Sequence, residues 1–141
     1  MILPDVNILI YAYNLDSPDH ARCREWLDSV VNSGMMYGMS PQVLSSVLRI
    51  LTNRRAFRHP QPLERVLAYC NALLSGRHCQ IVLPGARHWQ IFCDLCRETK
   101  AKGDLIPDAW FAALAIESGC EWVTLDRDFA RFDKLRWRTP F

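Results

Sequence analysis

Short apolar runs that alternate with longer stretches of helical periodicity are the feature that most constrains the fold of this chain. Residues 1–12 are predicted as a buried strand, 1–4, that turns into a helix at 8–12. The further predicted strands span 35–39, 80–83, 121–125 and 135–137, and the further predicted helices span 19–31, 41–52, 62–74, 87–100 and 107–117, with a helical turn at 128–132. Because strands separated by helices pair in parallel through right-handed crossovers, this order predicts an α/β protein whose parallel sheet of four to five short strands is covered by helices on both faces.

Polar and small residues mark the ends of several predicted helices. Ser40 is placed as the N-cap of the helix 41–52, and Pro41 occupies its first position. Gly119 follows the last long helix as a stop signal. In the helix 87–100 the apolar spacing predicts one buried face. That face is made by Trp89, Phe92, Cys93 and Cys96.

Length and composition indicate one globular domain. The chain has 141 residues, and no repeat or linker divides it, so we expect a single domain over residues 1–141. No apolar run approaches the roughly 18 residues that a membrane span needs, and the first residues carry Asp5 but no basic segment typical of a signal peptide. The six cysteines fall mostly at apolar positions of helical patterns; Cys93 and Cys96 have zinc-ligand spacing, but a second pair is missing. These features predict a cytoplasmic protein with reduced thiols.

Aspartates stand at three junctions between predicted strands and helices. Asp5 comes directly after the first strand, and Asp126 comes directly after the fourth. Since ligands of open α/β sheets bind beyond the carboxyl ends of the strands, both carboxylates should reach one crevice. Asp108 opens the last long helix, where the helix dipole and the free backbone N–H groups favour its ionised form. Asp128 can present a fourth carboxylate from the same loop as Asp126.

Several carboxylates in one crevice repel one another, and a divalent cation is the simplest way to offset that repulsion. Oxygen ligands without a matching set of His or Cys favour Mg²⁺ or Mn²⁺. Asn7 and Thr124 are placed to orient the carboxylates or a bound water. The alternative is that Asp and Asn at such junctions are caps and turn residues. For Asn7, or for Asp128 alone, that alternative is favoured, whereas the aspartates at three separate junctions together favour a metal site.

A basic cluster lies earlier in the chain and consists of Arg49, Arg54, Arg55, Arg58 and His59. The formal net charge is only +2, so the cluster is a local feature. A basic rim beside an acidic centre suits a polyanion that approaches a metal site. The alternative is that both groups are ordinary solvated faces and that Arg49 makes an ion pair on its own helix.

Four segments of the chain resemble the signature blocks of VapC-type PIN domains. They are LPDVNILIYA from Leu3, LRILTNRRAF from Leu48, GDLIPDAWFAALAIESG from Gly103 and TLDRDFARF from Thr124. The blocks lie in family order, and the resemblance covers nearly the whole chain. It implies a three-layer PIN-like fold and a metal-dependent endoribonuclease that is the toxin of a toxin–antitoxin pair. It also implies a homodimer that is inhibited by a small VapB-type antitoxin.

The resemblance also assigns residues to the expected site. Carried across by motif, the carboxylates that bind Mg²⁺ or Mn²⁺ and act in catalysis are Asp5, Asp108 and Asp126, with Asp128 as a supporting fourth. A metal-activated water would attack the RNA phosphodiester in line. The basic cluster, independently of the resemblance, offers Arg49, Arg54 and Arg55 as side chains that would contact RNA phosphates.

One position departs from the family pattern. Ser46 stands three residues before Arg49, where the family commonly has a glutamate. A serine brings no charge to a cation, so Asp104, Asp128 or a water would have to complete the site, or metal affinity and activity would be reduced. The departure leaves a second interpretation open, namely a PIN-like domain that binds RNA or a protein partner without efficient cleavage.

A third interpretation is a phosphohydrolase or receiver-like domain built around Asp5. Such domains need a second acidic residue two positions later, and Asn7 occupies that position here. The sequence therefore disfavours this interpretation.

Overall fold

The computed structural model describes residues 1–141 and contains five β-strands, six α-helices and one short 3₁₀ helix. The strands are β1 (Ile2–Pro4), β2 (Tyr37–Met39), β3 (Cys79–Ile81), β4 (Glu121–Val123) and β5 (Trp137–Arg138). The α-helices are α1 (Val6–Tyr13), α2 (His20–Asn32), α3 (Pro41–Leu51), α4 (Leu63–Leu74), α5 (His88–Thr99) and α6 (Leu105–Ser118), and the 3₁₀ helix is Arg127–Arg131. Each predicted element is present, with its ends shifted by a few residues.

The five strands form one sheet in the order β3-β2-β1-β4-β5, and every pairing in it is parallel. The chain first adds strands on one side of β1 and then crosses over to add β4 and β5 on the other side. Right-handed crossovers therefore place α1 to α4 on one face and α5 and α6 on the other. The helix contacts agree, because α1 packs against α2 and α3 whereas α5 packs against α6. The predicted α/β fold is confirmed.

The position of β1 and β4 determines where a ligand would bind. The two strands are neighbours in the middle of the sheet, and Pro4 of β1 stands beside Val123 of β4. The crossovers on either side of this pair run in opposite directions, so a crevice opens beyond the carboxyl ends of these strands. Asp5 and Asp126 follow these two strands closely in the sequence.

The two predicted helix caps are present, whereas one predicted helix start is shifted. The side chain of Ser40 accepts a hydrogen bond from the Gln42 amide and caps α3, and Gly119 closes α6 with a φ of 69°. The predicted start of α6 at Pro107 is wrong, because the helix begins at Leu105. A proline fits the first helical turn, since a backbone N–H there would have no partner within the helix. Asp108 therefore lies within the first turn rather than at the helix opening.

The predicted buried face of α5 is wrong for Trp89 and is only partly buried at its other three residues. Trp89 is 64% exposed, while Leu95 and His88 are buried. The other three residues of that predicted face, Phe92, Cys93 and Cys96, are only partly buried. Helix α5 packs mainly against α6. The Nε2 atom of the buried His88 imidazole lies 3.0 Å from the Trp110 carbonyl oxygen and forms a hydrogen bond with it. Because this bond satisfies the imidazole, a polar residue can lie on the buried side of α5, which the apolar spacing did not predict.

Two further expectations concern thiols and membranes. All six cysteines are free, as predicted, and Cys23, Cys70 and Cys120 are buried. None of the helices has the length and apolar character that crossing a bilayer requires.

Candidate functional site

Asp5 is held rigidly where β1 ends and α1 begins. Its Oδ1 atom accepts a hydrogen bond of 2.6 Å from the Val6 amide and so caps α1. Its Oδ2 atom accepts from the Thr124 hydroxyl at 2.6 Å and from the Asn7 side-chain amide at 2.9 Å. The residue is only 6% exposed. These contacts fix the carboxylate in one orientation at the sheet edge.

Thr124 connects the ends of β1 and β4. It is fully buried, and besides donating to Asp5 its Oγ1 atom accepts hydrogen bonds from the Asn7 amide at 3.0 Å and from the Asp126 backbone N–H at 2.9 Å. Asn7 also accepts a bond from the Leu125 amide at 3.3 Å. One hydroxyl group thus positions both Asp5 and the loop that carries Asp126, while Asn7 joins the same network instead of acting as a helix cap.

The segments that carry Asp126 and Asp108 pack on a common aromatic residue. Three residues after each aspartate comes a phenylalanine, Phe129 or Phe111, and both rings pack on the buried Trp122 of β4 at centroid distances of 5.4 and 5.6 Å. The Asp126 carboxylate also accepts a 2.8 Å bond from the Asp128 amide and caps the 3₁₀ helix. Asp108 makes no side-chain hydrogen bond, so its carboxylate is the least constrained of the three.

One cavity of about 400 Å³ brings these residues together. Its acidic lining residues are Asp5, Asp108 and Asp126, and its other polar residues include Asn7, Ser46 and Arg49. We call it the acidic cavity. It lies at the carboxyl ends of β1 and β4, where the strand order predicts a ligand crevice.

Ionising the carboxyl groups of Asp5 and Asp108 in the acidic cavity costs free energy. Burial raises the pKa of Asp5 to about 7, with smaller contributions from the charges of Asp108 and Asp126, although the hydrogen bonds from Thr124 and Val6 oppose the shift. Burial and neighbouring carboxylates, first that of Asp126, raise the pKa of Asp108 to about 6. Desolvation and like charges thus oppose the ionised form of Asp108, which the helix terminus is expected to favour.

The donor atoms of the acidic cavity suit a hard divalent cation. They are carboxylate, amide and hydroxyl oxygens, and neither His nor Cys lines the cavity. A cation would also offset the repulsion that raises the two pKa values. However, no three His, Cys, Asp or Glu side chains already stand in a metal-binding arrangement. Coordination by all three aspartates would therefore need side-chain movement, for which Asp108 is the residue least restrained by hydrogen bonds.

Comparison with known proteins identifies the family. The PIN domain model matches residues 2–135 of the chain. The chain belongs to the PIN-domain family. Ribonuclease VapC25 of Mycobacterium tuberculosis is 41% identical to it over 140 residues, which cover 99% of both chains. Ribonuclease VapC43 of the same organism is 39% identical over 140 residues, which cover 99% of this chain and 95% of the relative.

A solved structure supports the same fold. The structure of VapBC2 from Rickettsia felis, bound to a DNA fragment from their promoter, matches with a TM-score of 0.70 at 19% identity and covers 99% of this chain and 98% of that chain. The predicted PIN-like architecture is confirmed.

The remaining acidic residues of this PIN domain lie outside the acidic cavity. Asp104 and Asp128 are exposed and do not line it. Their charges nevertheless contribute to the raised pKa of Asp108. Ser46, by contrast, is half-buried and lines the cavity. The position at which the family commonly has a glutamate therefore faces the three aspartates.

The three arginines differ in their relation to the acidic cavity. Arg49 is exposed, lines the cavity and takes part in none of the five ion pairs, so the alternative of a structural ion pair is wrong. Arg54 and Arg55 are exposed in the loop after α3 and do not line the cavity. Only Arg49 is thus positioned beside the aspartates themselves.

Sequence reasoning missed the apolar part of the cavity lining. The wall around the aspartates includes the aromatic side chains of Tyr11, Phe57 and Phe129. Tyr11 could have been found, because it lies four residues after Asn7 and therefore on the same side of α1. Phe57 comes from the loop after α3, and no local pattern predicts where that loop folds back.

Proposed function

We propose that this PIN domain is a Mg²⁺- or Mn²⁺-dependent endoribonuclease and the toxin of a type II toxin–antitoxin pair. One observation carries the proposal: Asp5, Asp108 and Asp126, which are distant in sequence, line one cavity at the carboxyl ends of β1 and β4. The names of its full-length relatives, which are VapC ribonucleases, support the choice of RNA as substrate. They also weigh against the interpretation as a PIN-like domain without catalysis.

Each polar residue of the cavity has a distinct proposed role. Asp5 is the fixed ligand of the cation, because Thr124 and Asn7 hold its carboxylate in place. Asp108 and Asp126 are the further ligands. When bound, the cation would lower the pKa of a water molecule and stabilise negative charge on the scissile phosphate. Both carboxylates with raised pKa values must lose their protons before they can bind it, so cation binding should strengthen as the pH rises through about 6 to 7.

The charged residues around the three aspartates fit the same function. Arg49 borders the aspartates with an unpaired guanidinium group, which suits contact with an RNA phosphate. Arg54 and Arg55 extend this positive surface along the loop after α3, where more distant phosphates would lie. The side chains of Asp128 and Asp104 act on the site through their charge, and the Asp128 backbone amide also donates to the Asp126 carboxylate.

The proposed partners follow from the family. We propose a VapB-type antitoxin as the inhibitor and a homodimer as the active form, in the cytoplasm. Support for the antitoxin comes from the solved VapBC2 structure of Rickettsia felis, whose fold this chain shares.

Incubation of the purified chain with total cellular RNA tests the proposed activity. We expect new 5′ and 3′ ends at a discrete set of sites with Mg²⁺ or Mn²⁺ and none with a chelator, and sequencing of the ends identifies the target RNA. An Asp126→Asn variant serves as the control for a contaminating nuclease. Equal cutting by the wild type and this variant, or cutting that continues in chelator, would contradict the proposal.

Substitution of Ser46 by glutamate is expected to increase cation binding and RNA cleavage. A Ser46→Glu variant adds a carboxylate to a residue that lines the acidic cavity, so we expect tighter Mn²⁺ binding and faster RNA cleavage at low Mn²⁺, by roughly tenfold. Ser45→Glu is the matched control, since Ser45 is an exposed residue of α3 and does not line the cavity. If both variants behave like the wild type, Ser46 has no influence on cation binding.

A further inference from the structure

A second cavity adjoins the acidic cavity. It has a volume of about 320 Å³, within the range of small-molecule sites. The two cavities share the lining residues Ser46, Arg49, Pro107 and Phe111. The second cavity alone is lined by Gln42, Phe92, Ile106 and Trp110, and it contains no carboxylate. A group bound there would lie next to the three aspartates without contacting their carboxylates.

We propose that this second cavity, which we call the base cavity, binds a nucleobase of the RNA strand next to the scissile phosphate. The inference rests on the proposed ribonuclease function and adds a subsite to it. It would make Phe92, Trp110 and Gln42 determinants of which nucleotide is accepted beside the cut.

The aromatic rings of the base cavity are prearranged for stacking. Trp110 and Phe92 meet edge to face, with centroids 5.3 Å apart and planes inclined by 69°. The Trp110 indole N–H donates to the Gln42 side-chain oxygen, and its ring packs against the buried His88, so the indole is held in position. Both rings remain partly exposed. Single-stranded RNA is commonly recognised by bases that stack on such rings.

The charge at the border of the two cavities favours a nucleotide over an apolar protein segment. Arg49 lines both cavities and forms no ion pair. A base in the base cavity brings its own phosphate to this border, where a guanidinium group can bind it with two hydrogen bonds. An apolar segment would leave this cation without a partner.

Gln42 gives the base cavity a preferred hydrogen-bonding direction. Its side-chain oxygen is occupied by the Trp110 N–H, so its amide nitrogen is left as a donor. The cavity should therefore prefer a base edge that presents acceptor atoms. Gln42→Glu keeps an oxygen for Trp110 and turns the remaining donor into an acceptor.

Binding of short RNA in chelator tests the base cavity without requiring cleavage. Fluorescence anisotropy compares hexauridylate and hexaadenylate with a ribose-phosphate hexamer that lacks bases. We expect the wild type to bind at least one of the base-containing hexamers roughly tenfold more tightly than the baseless hexamer, and Phe92→Ala to remove that difference. Trp89→Ala is the matched control, because Trp89 contacts Phe92 but is 64% exposed and lies outside the cavity.

Gln42→Glu provides a second test that does not depend on truncating an aromatic ring. We expect it to shift the ratio of hexauridylate to hexaadenylate affinity towards hexaadenylate, whose amino group can donate to the new acceptor. The base cavity is refuted if Phe92→Ala weakens all hexamers by one factor or leaves the preference for bases intact, as it would if the cavity took a protein segment. If the wild type binds bases as expected but cuts no RNA, the proposed function fails while the base cavity stands.

Discussion

An Asp108→Asn variant should lose RNA cleavage while remaining folded. We expect its rate to fall by about 100-fold or more, since the asparagine cannot contribute a negative charge to the cation that would stabilise the phosphate in the transition state. Asp108 lines the acidic cavity and makes no side-chain hydrogen bond, so its replacement by the isosteric asparagine breaks no hydrogen bond of the folded state. Cleavage of the target RNA with saturating Mg²⁺ measures the loss.

The same variant should be more stable than the wild type when no cation is present. The folded-state pKa of Asp108 is about 6, above its ordinary value of 3.8, so the folded protein binds more protons than the unfolded protein between these values. The stability of the wild type therefore falls as the pH rises through this window, and the variant escapes that loss. Since Asp108 is only half-buried, we expect a gain of about 1 kcal/mol at pH 7.5, or roughly 3 °C in Tm, and none at pH 4.

Thermal melts in chelator and in Mn²⁺ check this second effect. Mn²⁺ should raise the Tm of the wild type but hardly that of Asp108→Asn, because a ligand that binds only the folded state stabilises it. Asp133→Asn is the matched control. Asp133 is exposed, does not line the acidic cavity and makes no side-chain hydrogen bond or ion pair. An Asp108→Asn variant that cuts RNA at the wild-type rate would show that Asp108 is no ligand of the catalytic cation.

Thr124→Val should weaken both the fold and the site. Valine keeps the shape of threonine, but the Asp5 carboxylate loses a 2.6 Å hydrogen bond and the Asp126 amide loses its acceptor in a fully buried position. Leaving these groups unsatisfied should lower the free energy of unfolding by about 2–3 kcal/mol. Loss of a group that orients metal ligands should reduce activity by about 10- to 100-fold.

The pH profile separates this positioning role from general destabilisation. The Thr124 hydrogen bond lowers the pKa of Asp5, so its removal should raise that pKa further and move the onset of Mn²⁺ binding to higher pH. Thr124→Ser retains the hydroxyl group and should keep the wild-type profile. A Thr124→Val variant with an unchanged pH profile would mean that the Asp5 carboxylate does not depend on Thr124.

The strand order explains why much of the site could be predicted from sequence. Asp5 and Asp126 each follow an apolar run, and the carboxyl ends of parallel strands share one edge of the sheet, so their meeting required no knowledge of side-chain packing. The network around Thr124 was only partly predictable. Sequence spacing places Thr124 and Asn7 near the aspartates, but it does not reveal that one hydroxyl group bonds Asp5, Asn7 and the Asp126 amide.

Features that depend on contacts between distant elements could not be predicted. The pKa of Asp108 is raised by burial and by the charges of Asp126 and Asp128 in the loop after β4, so the shift cannot be read from the helix alone. The exposure of Trp89 depends on which side of α5 meets α6, and apolar spacing alone does not identify that side. The base cavity lies between α3, α5 and α6, so no single segment of the chain indicates it.

The most direct test of the account is a crystal structure of the chain grown with Mn²⁺, with an anomalous difference map. We predict one strong peak in the acidic cavity, within coordination distance of carboxylate oxygens from Asp5, Asp108 and Asp126, and its absence in crystals of Asp108→Asn. A wild-type map with no peak in this cavity, or a peak that survives unchanged in the variant, would contradict the claim that these three aspartates bind the cation.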